Sequence, residues 1–134
     1  WRIIPLAIGG LSSFWYMDEI QMKALLPSLQ VMTLISDPLT SLITDPTEVV
    51  VTALYEEVDT PILNTDIILS VSRDNGTTYT VAVLAKVAAY PLAQDVLQAT
   101  VDVSGQPAGS TLRYKYVSTD AQTFRIHATG LTWS

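Results

Sequence analysis

Cysteine is absent from this 134-residue chain, and histidine occurs once, at His127. The first absence excludes disulfides, thiolate nucleophiles and cysteine-ligated zinc; the second leaves any Ser–His–Asp triad or imidazole metal site resting on one residue. Charge is scarce as well. Asp, Glu, Lys and Arg make up 15 % of the chain against 49 % apolar residues, and the net charge is −6. The seven Lys and Arg are scattered, so the chain lacks the basic cluster that nucleic acid or an anionic membrane requires. No apolar run reaches the roughly 20 residues of a spanning helix. The opening residues 1–10 are interrupted by Pro5 and make neither such a helix nor a signal peptide, so the chain reads as the C-terminal piece of something longer. No glycine-rich loop precedes a helical pattern, which argues against nucleotide binding. The reading therefore contains no cofactor, no metal, no nucleic acid, no membrane insertion and no enzymatic activity.

The length suits one domain. With so few charges, much of its surface must be uncharged Ser, Thr, Asn and Gln, as in proteins that pack against copies of themselves. A small domain without disulfides depends on its core or on oligomerisation.

Two regions differ in character. Residues 1–30 form an N-terminal apolar segment: residues 17–26 carry good helix formers, acids in the first turn and Pro27 as a stop, which predicts a short helix. With Phe14, Trp15 and Tyr16 it makes an apolar block suited to packing on the following domain or on a neighbouring subunit. From Val31 onward the hydrophobic period is two. Residues 48–56 place Val49, Val51 and Tyr55 on one side and Val50, Thr52 and Leu54 on the other, a strand expected to be buried on both faces. Residues 96–103 put Leu97, Ala99, Val101 and Val103 on one side, followed by a loop at 104–109. Residues 111–117 alternate Leu112, Tyr114 and Tyr116 with Thr111, Arg113 and Lys115. Residues 123–129 place Phe124, Ile126 and Ala128 inward and Arg125 and His127 outward. With residues 32–35 and 131–133 the pattern predicts an all-β fold over residues 31–134, an antiparallel β-sandwich or jelly roll of about eight short strands.

The most informative stretch is residues 64–84, two strands around a polar turn. Ser72-x-Asp74-x-Gly76-x-Thr78-Tyr79 fits the aspartate-box pattern, whose role is structural. The Asp carboxylate accepts backbone N–H groups of the turn, Gly supplies positive φ, and the aromatic packs beneath. A single box in a chain this short excludes a complete propeller.

Groups with chemical potential are few. Alternation places His127 on an outward face, so it reads as a surface or subunit-interface residue. Glu56, Glu57 and Asp59 could supply oxygen ligands to Ca²⁺ or a glycosidase acid pair, but they lack the spacing of a calcium loop and read as a solvated strand end. Tyr90, Tyr114, Tyr116 and Trp133 are candidate glycan or interface contacts, because rings stack on sugar faces; the period-two placement of Tyr114 and Tyr116 beside Leu112 favours the core.

Several segments together resemble the C-terminal β-domain of tail fibre and related virion proteins of tailed bacteriophages. They are residues 32–34, the valine-rich strand ending in Tyr55-Glu56-Glu57, residues 63–66, the hairpin 71–79, Val101-Asp102-Val103-Ser104-Gly105-Gln106-Pro107, residues 113–115 and 126–128, and the terminal Leu131-Thr132-Trp133-Ser134. The resemblance spans about three-quarters of the chain, from Met32 to Ser134. It implies a virion component, usually homotrimeric, forming part of a fibre, spike or connector, with other tail proteins and a bacterial surface glycan as partners. It brings no catalytic residues. Residues 85–94 are more apolar than the acidic, glycine-bearing loop the resemblance leads one to expect, which suggests burial of residues 85–92 against another virion protein. Residues 1–30 have no counterpart. The alternatives are a monomeric carbohydrate-binding module of a larger secreted enzyme, with an exposed aromatic platform, and a hydrolase fragment using Glu56, Glu57 and Asp59.

Overall fold

The computed structural model describes residues 6–8, 11–13, 21–22, 31–119 and 122–134. The described residues form strands and no helix: β1 (Leu6–Ile8), β2 (Leu11–Ser13), β3 (Gln21–Met22), β4 (Met32–Ile35), β5 (Leu39–Thr40), β6 (Glu48–Glu57), β7 (Ile67–Ser72), β8 (Thr80–Ala82), β9 (Ala85–Tyr90), β10 (Gln94–Asp102), β11 (Thr111–Ser118) and β12 (Phe124–Trp133). Most of the helix expected over residues 17–26 lies outside the described residues. At Gln21 and Met22 the expectation is corrected, because they pair antiparallel with Arg125 and Phe124.

Two antiparallel sheets build the sandwich. One has the order β3-β12-β6-β10-β9, the other β4-β11-β7-β8 with β5 also on β11; β1 and β2 form a separate two-stranded sheet. The inner faces follow from period-two alternation. In β6, Val49, Val51, Ala53 and Tyr55 are buried, while Val50 and Leu54 on the other side are only half-buried and Thr52 is exposed. Burial of both faces is thus corrected to burial of one. Leu97, Ala99 and Val101 of β10, Leu69 and Val71 of β7 and Leu112 and Tyr116 of β11 fill the space between the sheets, with Phe124 capping one end against Tyr55. Each fully buried side chain of this size contributes about 1.5–3 kcal/mol against exposure.

The last strand departs from simple alternation. The strands expected at 123–129 and 131–133 are one continuous strand, β12, along β6, with a register shift between Ile126 and Ala128. Phe124 and Ile126 face inward, His127 and Ala128 are both exposed, and Thr129, Leu131 and Trp133 then turn inward opposite Ala53, Val51 and Val49. The bulge absorbs one residue and flips the face of everything after it. Ala128 is accordingly corrected from an inward to an outward position.

Residues 85–90, without strand character in the sequence pattern, form β9 along β10. Asn64 (φ +65) helps to place the chain entering β9: its side-chain Nδ2 donates to Leu84 O at 2.9 Å, and Leu84 N–H donates to its Oδ1 at 2.7 Å. One amide thus replaces a strand partner.

Candidate functional site

The turn between β7 and β8 is built as the motif predicts. Ser72 Oγ donates to Asp74 Oδ1 at 2.7 Å and accepts Gly76 N–H at 2.8 Å; Asp74 Oδ1 also accepts Thr77 N–H at 3.1 Å and Thr78 N–H at 2.8 Å. Gly76 sits at φ +87, and a Cβ there would meet Tyr79 Oη at 2.9 Å. Lys115 Nζ lies 4.1 Å from the Tyr79 ring centroid, a cation–π contact across the outer face. Burial alone would raise the Asp74 pKa, but the hydrogen bonds from Thr78, Ser72 and Thr77 outweigh it and hold the carboxyl below its ordinary value.

Beneath this turn is a device that the motif does not announce. Arg73, at one of the motif's unspecified positions, turns its side chain into the molecule and is 7 % exposed. Its Nε donates to Pro107 O at 3.0 Å, Nη1 to Pro46 O at 3.0 Å, and Nη2 to Ser104 O at 3.1 Å and to Gln106 O. Its backbone N–H donates to Gln106 Oε1 at 2.8 Å, while Gln106 Nε2 donates to Val71 O and Thr80 Oγ1, both at 2.8 Å. A planar guanidinium with five N–H groups thereby ties together three loops at one end of the sandwich using carbonyl oxygens. Charge-assisted bonds of this kind are the stronger class. The sequence carried no signal for it, because the pairing joins residues about 30 positions apart through loops whose paths alternation does not fix.

The candidate glycan contacts separate by burial. Tyr116 is 1 % exposed, and Tyr114 and Trp133 pack against the core. Tyr116 is thereby withdrawn as a glycan or interface contact and takes the core place that its alternation favours, and all three serve the interior because inward-facing alternation carries them there. Tyr114 and Tyr116 meet edge to face, with centroids 5.7 Å apart. Tyr90 alone of the four is exposed, at 53 %. His127 Nε2 lies 2.8 Å from Glu56 Oε2, and Arg125 Nη1 lies 2.9 Å from Glu56 Oε1. The His127 and Arg125 hydrogen bonds hold the Glu56 pKa below its ordinary value against a smaller opposing effect of burial.

The acidic residues do not converge. Glu56 bonds His127 and Arg125, whereas Glu57, its neighbour on the opposite face of the pleat, bonds Lys86 at 2.9 Å. Asp59 Oδ2 accepts Thr123 N–H at 2.7 Å. Lys86 also reaches Asp95 at 3.0 Å. Each carboxylate is used locally, and no group of three or more acidic or histidine side chains is placed to hold a metal ion among the described residues.

Most of the exposed large apolar side chains gather at two places, with Val58 and Ile62 apart on the β6–β7 connection. Val81, Val83, Val87, Tyr90 and Leu92 lie on or beside β8 and β9, the strands at one edge of each sheet. Val31, Ile35, Leu39, Leu42 and Ile43 lie on or beside β4 and β5, at the opposite edge of the second sheet. At the tip after β9, Leu92 and Ala93 hold φ +68 and +59, which for a residue with a Cβ costs about 1–2 kcal/mol each. Comparison with protein-family models, curated proteins and solved structures finds no match.

Proposed function

We propose that this chain is a structural module of a tailed-bacteriophage virion, a tail fibre, spike or connector domain that associates as three copies and attaches to neighbouring tail proteins and the host surface. The observation that carries the reading is the distribution of apolar side chains. Three of the four candidate rings, Tyr114, Tyr116 and Trp133, pack in or against the core, while most exposed aliphatic side chains gather at the sandwich edges, where a protein partner covers them. The resemblance of residues 32–134 to phage virion β-domains supports it. So does the dispersal of the acidic residues into separate local hydrogen bonds. Three tethered copies multiply weak surface contacts without any new one.

Tyr90 favours a second reading, a monomeric carbohydrate-binding module, since its ring remains available to a ligand. Glycan arrays combined with light scattering separate the two. A three-chain particle is expected; a monomer that binds free oligosaccharide and loses it on Tyr90→Ala would establish the module instead.

A further inference from the structure

The β4 edge and the β8 part of the other apolar edge belong to one sheet and have opposite strand directions. In the order β4-β11-β7-β8 every neighbouring pair is antiparallel, so β4 and β8, at the two ends of a four-strand path, run antiparallel to each other. A second copy in the same orientation, placed beside the first, brings its β4 alongside β8 with the antiparallel alternation intact. The other sheet has five strands, so β3 and β9 run parallel and the same operation gives a less favourable pair.

Side chains match across that seam. Ile35 pairs with Lys115, Lys115 with Ser70, and Ser70 with Val81, which places Ile35 and Val81 in one row on the same outer face, at opposite edges. Both are exposed, at 49 % and 65 %. Edge strands are ordinarily protected by a charged side chain, and β8 (Thr80–Ala82) carries none.

We propose that the β8 edge of one copy docks on the β4 edge of the next, a head-to-tail contact in which Val81 meets Ile35 of a second copy. The occupant of each edge is the other edge of the same chain. Such a heterologous contact closes into a ring when the rotation permits and otherwise propagates as a fibre. The inference rests on the self-associating reading above and assigns the surfaces it uses.

The cysteine-free chain allows a clean test. Within one copy, residues 35 and 81 are separated by three inter-strand spacings, about 14 Å, so a shorter bis-maleimide cannot join them internally. Val81→Cys/Ile35→Cys in residues 1–134, treated with that reagent, should give covalent dimers and trimers on a denaturing gel, while each single variant stays monomeric. Both positions are exposed, and an unchanged thermal melt verifies folding. Cross-linking of Val81→Cys alone would show a two-fold contact and overturn the head-to-tail arrangement. An assembled wild type whose double variant does not cross-link overturns the edge assignment and leaves the self-associating reading standing. A monomeric wild type overturns both.

Discussion

Arg73 donates to Gln106 twice: its backbone N–H to Gln106 Oε1 at 2.8 Å, and its guanidinium to the Gln106 carbonyl. Replacing the guanidinium leaves the carbonyls of Pro46, Ser104, Gln106 and Pro107, on two loops, without this donor. Arg73→Met is expected to cost about 3 kcal/mol or more, since hydrogen bonds to charged groups contribute about 1.5–3 kcal/mol each and are not additive. Urea unfolding measures it; a loss within about 0.5 kcal/mol, the range of ordinary surface substitutions, would show that the clamp contributes nothing to stability.

Glycines in the same loops differ sharply in what surrounds them. A Cβ at Gly109 would lie 2.5 Å from the Arg73 carbonyl oxygen, a backbone atom, whereas nothing lies within 4 Å at Gly105. Gly109→Ala should therefore lower the melting temperature by several degrees, about 4–8 °C per kcal/mol for a domain near this size, and Gly105→Ala should leave it nearly unchanged. Equal shifts in a thermal scan would contradict the packing described.

Tyr55 carries a buried hydroxyl with no hydrogen-bond partner among the described residues. Burial, and then the charge of Glu57, push its pKa far up. Tyr55→Phe removes an unpaired polar atom while keeping the ring, so stability should be unchanged or rise by up to about 1 kcal/mol. A loss above about 1 kcal/mol in denaturant would reveal a partner for the hydroxyl.

Acid should weaken the fold through its turns. Asp74 is held low because hydrogen bonds outweigh burial, and Asp102 chiefly by the Ser104 side-chain hydrogen bond. A depressed native pKa means that the unfolded chain takes up the proton first. This stabilisation is complete above the unfolded value of about 4 and is lost as pH falls through the native one. Melting temperatures recorded downward from neutral pH should fall below about pH 4, less steeply in Asp74→Asn. An identical acid limb in that variant would remove Asp74 from the account.

The sandwich was legible because Leu112–Tyr114–Tyr116 and Leu97–Ala99–Val101 alternate cleanly, and the aspartate box because its turn chemistry is local. What escaped the sequence was non-local. Whether Ala128 faces in or out depends on a bulge against β6, and β9 is a strand because β10 offers it a partner, although residues 85–90 are exposed throughout. Arg73 was hidden because its carbonyl partners carry no residue-type signature. Tyr116 was legible as a core residue through its alternation with Leu112, whereas the rim position of Tyr90 follows only from the pairing of β9 with β10.

The central claim is that the exposed apolar edges are covered by copies of the same chain. Light scattering coupled to size exclusion on residues 1–134 tests it most directly. The account predicts a stable mass of three chains; a monomer that persists as concentration is raised would contradict it.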